Sequence, residues 1–555
     1  MDAVTRPDEL DLPAATTAAM RTVRDATFDV FRRRGLTTIF ANPGSTEVPF
    51  LTDLPDDLRF VLALHESSVV GLATGWAIGR DEPALAILHT TAGLGNAVAA
   101  LATARVNRAP LVVLVGQQDR RHLALEPFLA GNLHGLAGEY PVRVDQPVRA
   151  EDVPAAVDRA WHEATTGRGP ALVIVPMDDW SRAAEADTEP AATPGRVVRA
   201  AAADPAAVAG LAALVEGAGS PALVVGAGAD SADAWGALVE LAERLVAPVW
   251  QESFGARAGF PQDHPLFAGH LPADRTRLRE LLAPHDVVLA VGAPVFRQYP
   301  YEPGLLVQPG TRVAIVSDDP AEIHRSPAEL ALLAAPASVC AQLARSLPAR
   351  SEASPPEPFR RPPAPPPPEP GEPLRAAHVL AALAERLPRD AVLVEETPSN
   401  RPELHARIPA RAPLGFLSAA MGGLGFALPG ATGLRMARPD RPVVAVVGDG
   451  SSLYAIQALW SAAHYGVGVL FVVLANGGYA VMDRLAEREG GKPAWPGLAN
   501  VDVAALAKGF GCPARRISQH DELTAALDDV LPDLVTRAEP FLLEVVVEPD
   551  PTFSP

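Results

Sequence analysis

The stretch from residue 443 to residue 479 constrains the fold of this chain more than any other. It reads VVAVVGDGSSLYAIQALWSAAHYGVGVLFVVLANGGY. Residues 443–447 and 469–474 are apolar and rich in valine, which is typical of strands buried on both faces. Apolar residues between 456 and 463 recur at helical spacing. The pattern predicts a strand–helix–strand unit of a parallel sheet, in which both strands end at the same edge.

Two turns at that edge carry oxygen ligands. Gly448-Asp449-Gly450 follows the first strand, and Asn476-Gly477-Gly478 follows the second. A carboxylate and an amide oxygen suit Mg²⁺, which takes few protein ligands and obtains the rest from phosphates and water. Ser451 and Ser452 are predicted to open the helix, whose N-terminal amides favour a phosphate. We therefore predict a site for a metal-bound diphosphate; for GDG alone, an ordinary glycine-rich turn with a solvated aspartate is the alternative.

This pair of turns resembles the cofactor motif of the thiamin-diphosphate (ThDP) dependent 2-oxoacid decarboxylases and carboligases. In that family, the metal is held by the aspartate of GDG, the asparagine and a main-chain carbonyl two residues later. The resemblance implies ThDP and Mg²⁺ as cofactors, with Asp449, Asn476 and the carbonyl of Gly478 as metal ligands. The further cofactor contacts that it implies in this stretch are Gly448, Gly450, Ser451 and Tyr479.

Composition bounds the class of protein. The chain has 555 residues and a net charge of −19, which argues against nucleic acid or an anionic membrane as a partner. Cys340 and Cys512 are its two cysteines, which fits a reducing cytoplasm rather than a disulfide framework. The acidic N-terminus has no apolar core of a signal peptide, and no run reaches the length of a membrane span. We therefore expect a cytoplasmic protein.

Strand and helix patterns alternate along most of the chain, which predicts three doubly wound α/β domains with parallel sheets. Their expected limits are 19–182, 203–345 and 373–550, after a flexible lead at 1–18. A proline-rich linker is expected at 346–372. The resemblance implies that the three domains are, in order, the pyrimidine-binding, central and diphosphate-binding domains of the ThDP enzymes.

Glu66 lies at a predicted strand-to-helix turn in ALHESSVVGLATGWA, whose small residues would bury it. A buried carboxylate has to be partnered or protonated. The resemblance implies a catalytic role, because a glutamate at this position in the family hydrogen-bonds N1′ of the aminopyrimidine of ThDP. An acid that caps the helix N-terminus is the alternative.

Two motifs of the first domain closely resemble segments of benzoylformate decarboxylases. They are NPGSTE at 42–47 and LHTTAG at 88–93. The resemblance implies that Ser45 binds the substrate carboxylate and that His89 donates a proton near the carbonyl. A histidine with a pKa near neutrality suits proton transfer. A turn-capping serine and a solvated histidine are the alternatives.

The segment LSAAMGGLGFALP at 417–429 resembles the cofactor loop of the family. Gly422 and Gly423 allow a close backbone approach, as a main-chain acceptor for the 4′-amino group requires. Leu424 is implied to be the apolar wedge that bends ThDP, although a core leucine is the alternative. After the strand at 391–394, Ser399 is implied to flank the diphosphate, whereas Pro398 replaces a second polar residue of the family.

The central domain departs from the family pattern. The segments 292–297 and 301–304 match benzoylformate decarboxylases, which carry a second catalytic histidine between them. Tyr299 stands at that position here, and its ordinary pKa near 10 makes it a poor proton relay at neutral pH. Slow protonation would favour carboligation or require another proton source. The substrate-facing helix expected after Asn476 also differs, since Ala480, Val481, Met482 and Leu485 would line it without an aromatic.

The sequence thus predicts a ThDP- and Mg²⁺-dependent decarboxylase that converts a benzoylformate-like 2-oxoacid to an aldehyde and CO₂. An acetolactate-synthase-type carboligase is the main alternative, and a non-catalytic binding protein with the same fold is a third. The family places the cofactor between the pyrimidine domain of one subunit and the diphosphate domain of another. We therefore expect a homo-oligomer, a dimer or a tetramer, with active sites at subunit interfaces. The sequence leaves open whether the central domain binds FAD.

Overall fold

The computed structural model describes residues 20–184, 194–195, 197–198, 203–350, 354–369 and 371–550. The predicted flexible lead at 1–18 lies outside the described residues. Three six-stranded sheets follow one another along the chain, and every strand pair in them is parallel. This architecture confirms the predicted fold class of three α/β domains.

The first sheet has the strand order β2-β1-β3-β4-β6-β5. Its strands are β1 (Thr38–Ala41), β2 (Arg59–Leu62), β3 (Ala84–Leu88), β4 (Leu111–Gln117), β5 (Arg143–Asp145) and β6 (Pro170–Pro176). Its helices are α1 (Val23–Arg34), α2 (Val48–Leu51), α3 (Glu66–Arg80), α4 (Thr90–Val106) and α5 (Val153–Gly167). Strand β1 lies between β2 and β3, so the turns that follow these three strands are neighbours.

The central sheet has the order β12-β11-β10-β7-β8-β9. Its strands are β7 (Pro221–Val225), β8 (Val249–Gln251), β9 (Phe267–His270), β10 (Val287–Val291), β11 (Arg312–Ser317) and β12 (Leu330–Leu333). Its helices are α6 (Pro205–Glu216), α7 (Ala232–Leu245), α8 (Arg275–Leu282), α9 (Pro320–His324) and α10 (Pro336–Ser346). Residues 354–369 contain no helix or strand and are fixed to this domain, since Phe359 donates its N–H to the Phe267 carbonyl at 3.1 Å.

The third sheet has the order β14-β13-β15-β16-β18-β17. Its strands are β13 (Val392–Glu396), β14 (Phe416–Ser418), β15 (Val443–Gly448), β16 (Val469–Ala475), β17 (Ala514–Ile517) and β18 (Phe541–Val546). Its helices are α11 (Ala376–Arg386), α12 (Arg401–Arg407), α13 (Ala427–Ala437), α14 (Asp449–Ser452), α15 (Ala458–His464), α16 (Ala480–Arg488), α17 (Val503–Gly509) and α18 (His520–Val530).

The helix predicted after GDG is interrupted, which corrects the continuous helix expected there. Helix α14 ends at Ser452, and α15 begins only at Ala458. Between them the chain turns, with Tyr454 N–H donating to the Ser451 carbonyl at 3.2 Å. The Ser452 hydroxyl donates to the Asp449 carbonyl at 2.7 Å, and such bonds compete with helical ones.

Helices α3 and α13 lock the first and third domains of one chain together. A Cβ on Gly75 would lie 2.0 Å from the carbonyl oxygen of Gly430, and a Cβ on Gly433 would lie 1.9 Å from that of Leu72. Such a close backbone approach requires glycine at both positions. Buried residues of both domains accordingly belong to one hydrophobic core.

Glu252 is a buried carboxylate in the central domain, directly after β8. Its Oε2 accepts no hydrogen bond from the described residues, and its nearest cation is Arg297, with Nε at 3.8 Å. Burial raises the pKa of Glu252 from 4.5 to about 7, with Glu322 adding to the rise and Arg297, Arg325 and Arg401 opposing it. The stability of the fold therefore falls as the pH rises from about 4.5 through about 7, because the carboxyl ionises more readily in the unfolded chain.

Replacing Glu252 with glutamine is expected to stabilise the protein at pH 8 and to change little at pH 4, below the ordinary pKa of 4.5. A carboxyl whose pKa is raised on folding is protonated in both states at low pH, and its ionisation costs at most about 3 kcal/mol above the folded pKa. Thermal unfolding at both pH values measures the effect, with the exposed Glu240→Gln as control. An equal change at both pH values would contradict the assigned cause.

Candidate active site

The two predicted metal ligands meet at the carboxyl edge of the third sheet. Asp449 follows β15 and Asn476 follows its neighbour β16. The Asp449 carboxylate accepts hydrogen bonds from the N–H of Gly450 at 2.8 Å and of Gly477 at 2.7 Å. The Asn476 side-chain oxygen accepts one from the Gly478 N–H at 3.1 Å. The structure therefore brings together the two turns that the sequence singles out.

The surroundings of Asp449 fit one small divalent cation. Asp449 is buried, and burial raises the pKa of its carboxyl, which a bound cation would lower again. The described residues contain no cluster of three His, Cys, Asp or Glu side chains suited to a metal. One carboxylate, one amide oxygen and the main-chain carbonyl that the resemblance adds would be a donor set that fits Mg²⁺, because this ion retains water and phosphate ligands.

Tyr479 closes the turn around Gly450. A Cβ on Gly450 would lie 2.6 Å from Cε1 of the Tyr479 ring, so the ring packs directly on the glycine backbone. Ser451 is buried beside them, in the four-residue helix α14. This packing fixes the backbone that the resemblance assigns to the diphosphate.

Glu396 shapes the loop at 422–424. Its carboxylate accepts three hydrogen bonds from the N–H groups of Gly425 (2.7 Å), Phe426 (2.8 Å) and Ala427 (2.7 Å). Burial raises the pKa of Glu396 to about 7, while these N–H groups act against the rise. The sequence analysis gives Glu396 no role; its position at a strand end, three residues before Ser399, is the available signal.

The predicted cofactor loop adopts a left-handed backbone conformation at one of its glycines. Gly422 has a φ of +71°, a conformation that other residues rarely adopt, and its backbone is exposed. Leu424 is half-buried and lines a cavity, rather than lying in the core as the alternative reading expected. Ser399 accepts a hydrogen bond from the Val481 N–H at 3.1 Å, which ties the turn after β13 to the start of α16.

Glu66 is a partnered buried carboxylate in the first domain. It is 8% exposed and accepts hydrogen bonds from the side-chain amides of Asn42 (3.1 Å) and Asn96 (3.0 Å). The N-cap of α3 is His65, whose side chain accepts from the Ser67 N–H, so Glu66 is not the capping residue. Asn42 lies in the quoted NPGSTE motif and Asn96 follows LHTTAG by three residues, but the sequence does not reveal that they hold Glu66.

His89 has a carboxylate partner that the sequence analysis missed. Its Nδ1 lies 2.9 Å from Oε2 of Glu47 and 3.0 Å from Oγ1 of Thr46. Glu47 is buried and also accepts from the Gly44 N–H at 2.8 Å, whereas the neighbouring Ser45 is exposed. A carboxylate at Nδ1 orients the ring and leaves Nε2 for the substrate.

A cavity of about 1550 Å³ lies between the central and third domains. Its lining includes Leu424 and Val481 from the third domain and Tyr299 from the central domain. Tyr299 is 56% exposed. Among the described residues, those that line the cavity come from the central and third domains and the segment between them, and Glu66, Ser45 and His89 are absent from it.

Three family descriptions match consecutive parts of the chain; thiamine pyrophosphate (TPP), which they name, is ThDP. "Thiamine pyrophosphate enzyme, N-terminal TPP binding domain" matches residues 21–138, "central domain" matches 208–343, and "C-terminal TPP binding domain" matches 403–545. Together with the fold and the paired turns of the third sheet, these matches define the chain as a ThDP enzyme.

Relatives narrow the class. Benzoylformate decarboxylase of Pseudomonas aeruginosa is 39% identical, covering 97% of this chain and 100% of its own. The structure of a 4-hydroxybenzoylformate decarboxylase from Rhodococcus jostii RHA1 superposes with a TM-score of 0.90 at 36% identity, covering 95% and 99%. An acetolactate synthase large subunit of Parasynechococcus marenigrum is 29% identical, covering 92% and 86%.

The chain belongs to the family of ThDP-dependent 2-oxoacid decarboxylases and carboligases, on the benzoylformate decarboxylase side of it. It is therefore a ThDP-dependent decarboxylase. This confirms the family and the class of enzyme that the sequence predicts.

Proposed function

We propose that this enzyme catalyses the Mg²⁺-dependent, non-oxidative decarboxylation of a benzoylformate-like 2-oxoacid to an aldehyde and CO₂. The observation that carries the proposal is the group formed by Ser45, His89 and Glu47 at one sheet edge, on the turns neighbouring that of Glu66. Relatives that carry the name benzoylformate decarboxylase support the substrate class.

Bound ThDP supplies the electron sink for the charge left when CO₂ departs. The chain's own groups do the rest. Asp449, Asn476 and the Gly478 carbonyl would hold Mg²⁺ and through it the diphosphate, and Glu66 would hydrogen-bond the cofactor's aminopyrimidine. The Ser45 hydroxyl donates to the substrate carboxylate, and His89 delivers a proton from Nε2 to the carbon that has lost CO₂, where it becomes the C–H of the aldehyde.

We also propose that each active site joins two copies of the chain, in a homodimer or homotetramer in the cytoplasm. The first-domain residues Glu66, Ser45 and His89 would come from one copy. The cofactor anchors and Leu424 would come from the other. Support comes from the cavity at Leu424, which no described first-domain residue lines.

The described residues contain no helix long and apolar enough to span a membrane.

The direct test is to incubate the purified protein with ThDP and Mg²⁺ and a panel of 2-oxoacids that includes benzoylformate and pyruvate. CO₂, aldehyde and acyloin are measured separately. We expect benzoylformate to give CO₂ and benzaldehyde in equal amounts. Absence of turnover with every 2-oxoacid would refute the proposed function, and acyloin as the main product would favour the carboligase.

Glu47 is proposed to position His89, and Glu47→Gln is expected to lower kcat about 100-fold with little change in KM. Glutamine keeps the size of the side chain but loses the charge that orients the imidazole. The exposed Glu139→Gln is the matched control, and circular dichroism verifies the fold. A KM increase at unchanged kcat would assign Glu47 to substrate binding instead.

Carboligation is the second candidate function, and Tyr299 is the observation that favours it. Tyr299 lines the cavity beside Leu424 at the position where the sequence comparison expects a second proton-relaying histidine. Tyr299→His is expected to raise the ratio of aldehyde to acyloin several-fold, because histidine transfers protons more readily at neutral pH. Tyr301→His, on an 82% exposed neighbour, is the control. An unchanged ratio would mean that another group supplies the proton.

A further inference from the structure

The cavity at Leu424 has a polar wall that the proposed reaction does not use. Arg401 begins α12, and its side chain is 18% exposed. Its Nε donates to Oε2 of Glu395 at 2.8 Å, and its Nη2 donates to the hydroxyl of Ser418. Glu395 and Ser418 are directly paired across β13 and β14, so both partners of the guanidinium stand on rigid strands.

Arg401 retains an unused donor. Two of its three guanidinium nitrogens are engaged, while Nη1 makes no hydrogen bond to any described residue. Glu395 cannot take a further role, because its side chain is 2% exposed and its Oε1 already accepts from the N–H and the hydroxyl of Thr397, at 2.6 and 2.9 Å. The pair thus presents N–H donors on a fixed, internally neutralised guanidinium.

The position of Arg401 links it to the substrate. It lies beyond the carboxyl end of β13, two residues after Ser399, and lines the same cavity as Leu424 and Val481. The lining of this cavity also includes the apolar Pro398. A molecule bound in the cavity therefore has both an apolar surface and the hydrogen-bond donor of Arg401 available to it.

We propose that Arg401, held by Glu395 and Ser418, binds an oxygen acceptor at the end of the substrate opposite its carboxylate. The substrate class is then a 2-oxoacid with an apolar middle and a distal ether, hydroxyl, carbonyl or carboxylate oxygen. This inference rests on the proposed decarboxylation. Arg401 would supply the hydrogen-bond donor that an apolar pocket alone does not provide. The acceptor on the substrate need not be ionised, because Glu395 balances the charge of Arg401.

The test compares 4-methoxybenzoylformate with 4-ethylbenzoylformate, which have nearly the same size but differ in the acceptor oxygen. The ratio of kcat/KM for the methoxy substrate to that for the ethyl substrate is measured in the wild type and in Arg401→Met. The electronic effect of the substituent is the same in both proteins, so it cancels when the two ratios are compared. We expect the variant to lower this ratio about tenfold, mainly through KM. Ser418→Ala is expected to lower it less. A third substrate, 4-carboxybenzoylformate, distinguishes a preference for an anionic acceptor from a preference for a neutral one.

Arg277→Met is the matched control, because this arginine lines the rim of the same cavity from the central domain and is exposed. If Arg401→Met does not fold, the double variant with Glu395→Gln, which removes both charges, takes its place. An equal loss for both substrates would overturn the inference and leave Arg401 a structural role. Wild-type protein that decarboxylates none of the substrates would refute the proposed function itself, and the inference with it.

Discussion

Glu66→Gln is expected to reduce turnover by about 10²- to 10⁴-fold, the range associated with a lost acid–base contribution. Glutamine retains the size of the side chain but offers one acceptor oxygen, so one of the amides of Asn42 and Asn96, which donate to different oxygens of Glu66, loses its acceptor. What is lost is the carboxyl's ability to share a proton with the aminopyrimidine. The rate of decarboxylation at saturating ThDP and Mg²⁺ measures the effect.

The control for this variant is Glu82→Gln, an exposed acid just beyond the end of the same helix. Both variants should bind ThDP with wild-type affinity in a fluorescence titration, because Glu66 activates the cofactor rather than anchoring it. Turnover within a factor of two of wild type would refute the catalytic role of Glu66. Loss of ThDP binding would assign it to anchoring.

Asp449→Ala is expected to lower the affinity for ThDP in the presence of Mg²⁺ at least about 100-fold, and turnover with it. The substitution removes the only charged group of the proposed metal site, and Mg²⁺ binds weakly to amide and carbonyl oxygens alone. It also frees the N–H of Gly477, whose acceptor is Asp449. Calorimetric titration of ThDP with and without Mg²⁺ measures the loss independently of activity.

Asp440→Asn serves as the control, since Asp440 is exposed in the same domain and paired with Arg438. Two results would contradict the proposed metal site. One is an Asp449→Ala variant that binds ThDP as tightly as the wild type does. The other is a wild-type protein whose affinity for ThDP does not depend on Mg²⁺. Taken with Glu66→Gln, the two variants separate anchoring of the cofactor from its activation.

The buried strands were predictable because their signal is local. Runs such as β15 and β16 are apolar on both faces, as a sheet covered by helices requires. Short edge strands carry no such signal: β5 reads Arg-Val-Asp and is only half-buried. The break between α14 and α15 was also missed, because it is marked by the Ser452 hydroxyl bonding to the backbone rather than by glycine or proline.

The site residues that the sequence predicted are those that belong to a recognisable motif. The residues that it missed are those that hold or orient another site residue. The partnership of Glu47 with His89 depends on β1 lying next to β3, which no spacing in the sequence reveals. The same holds for Asn96, which reaches Glu66 from another helix. Arg401 and Glu395 meet only because the chain turns back after β13. Partners of this kind are set by tertiary contacts and need the structure.

The division of each active site between two copies is the central claim, and two inactive variants test it when they are produced together. Glu66→Gln damages only the first-domain half of a site, and Asp449→Ala damages only the third-domain half. In a mixed dimer, one site would contain both defects and the other would contain neither.

The decisive measurement is the decarboxylation rate of co-expressed Glu66→Gln and Asp449→Ala chains, compared with each variant alone. Random assembly of a symmetric dimer is expected to restore about a quarter of the wild-type activity. A rate no higher than that of the separate variants, in oligomers shown to contain both chains, would contradict the shared site.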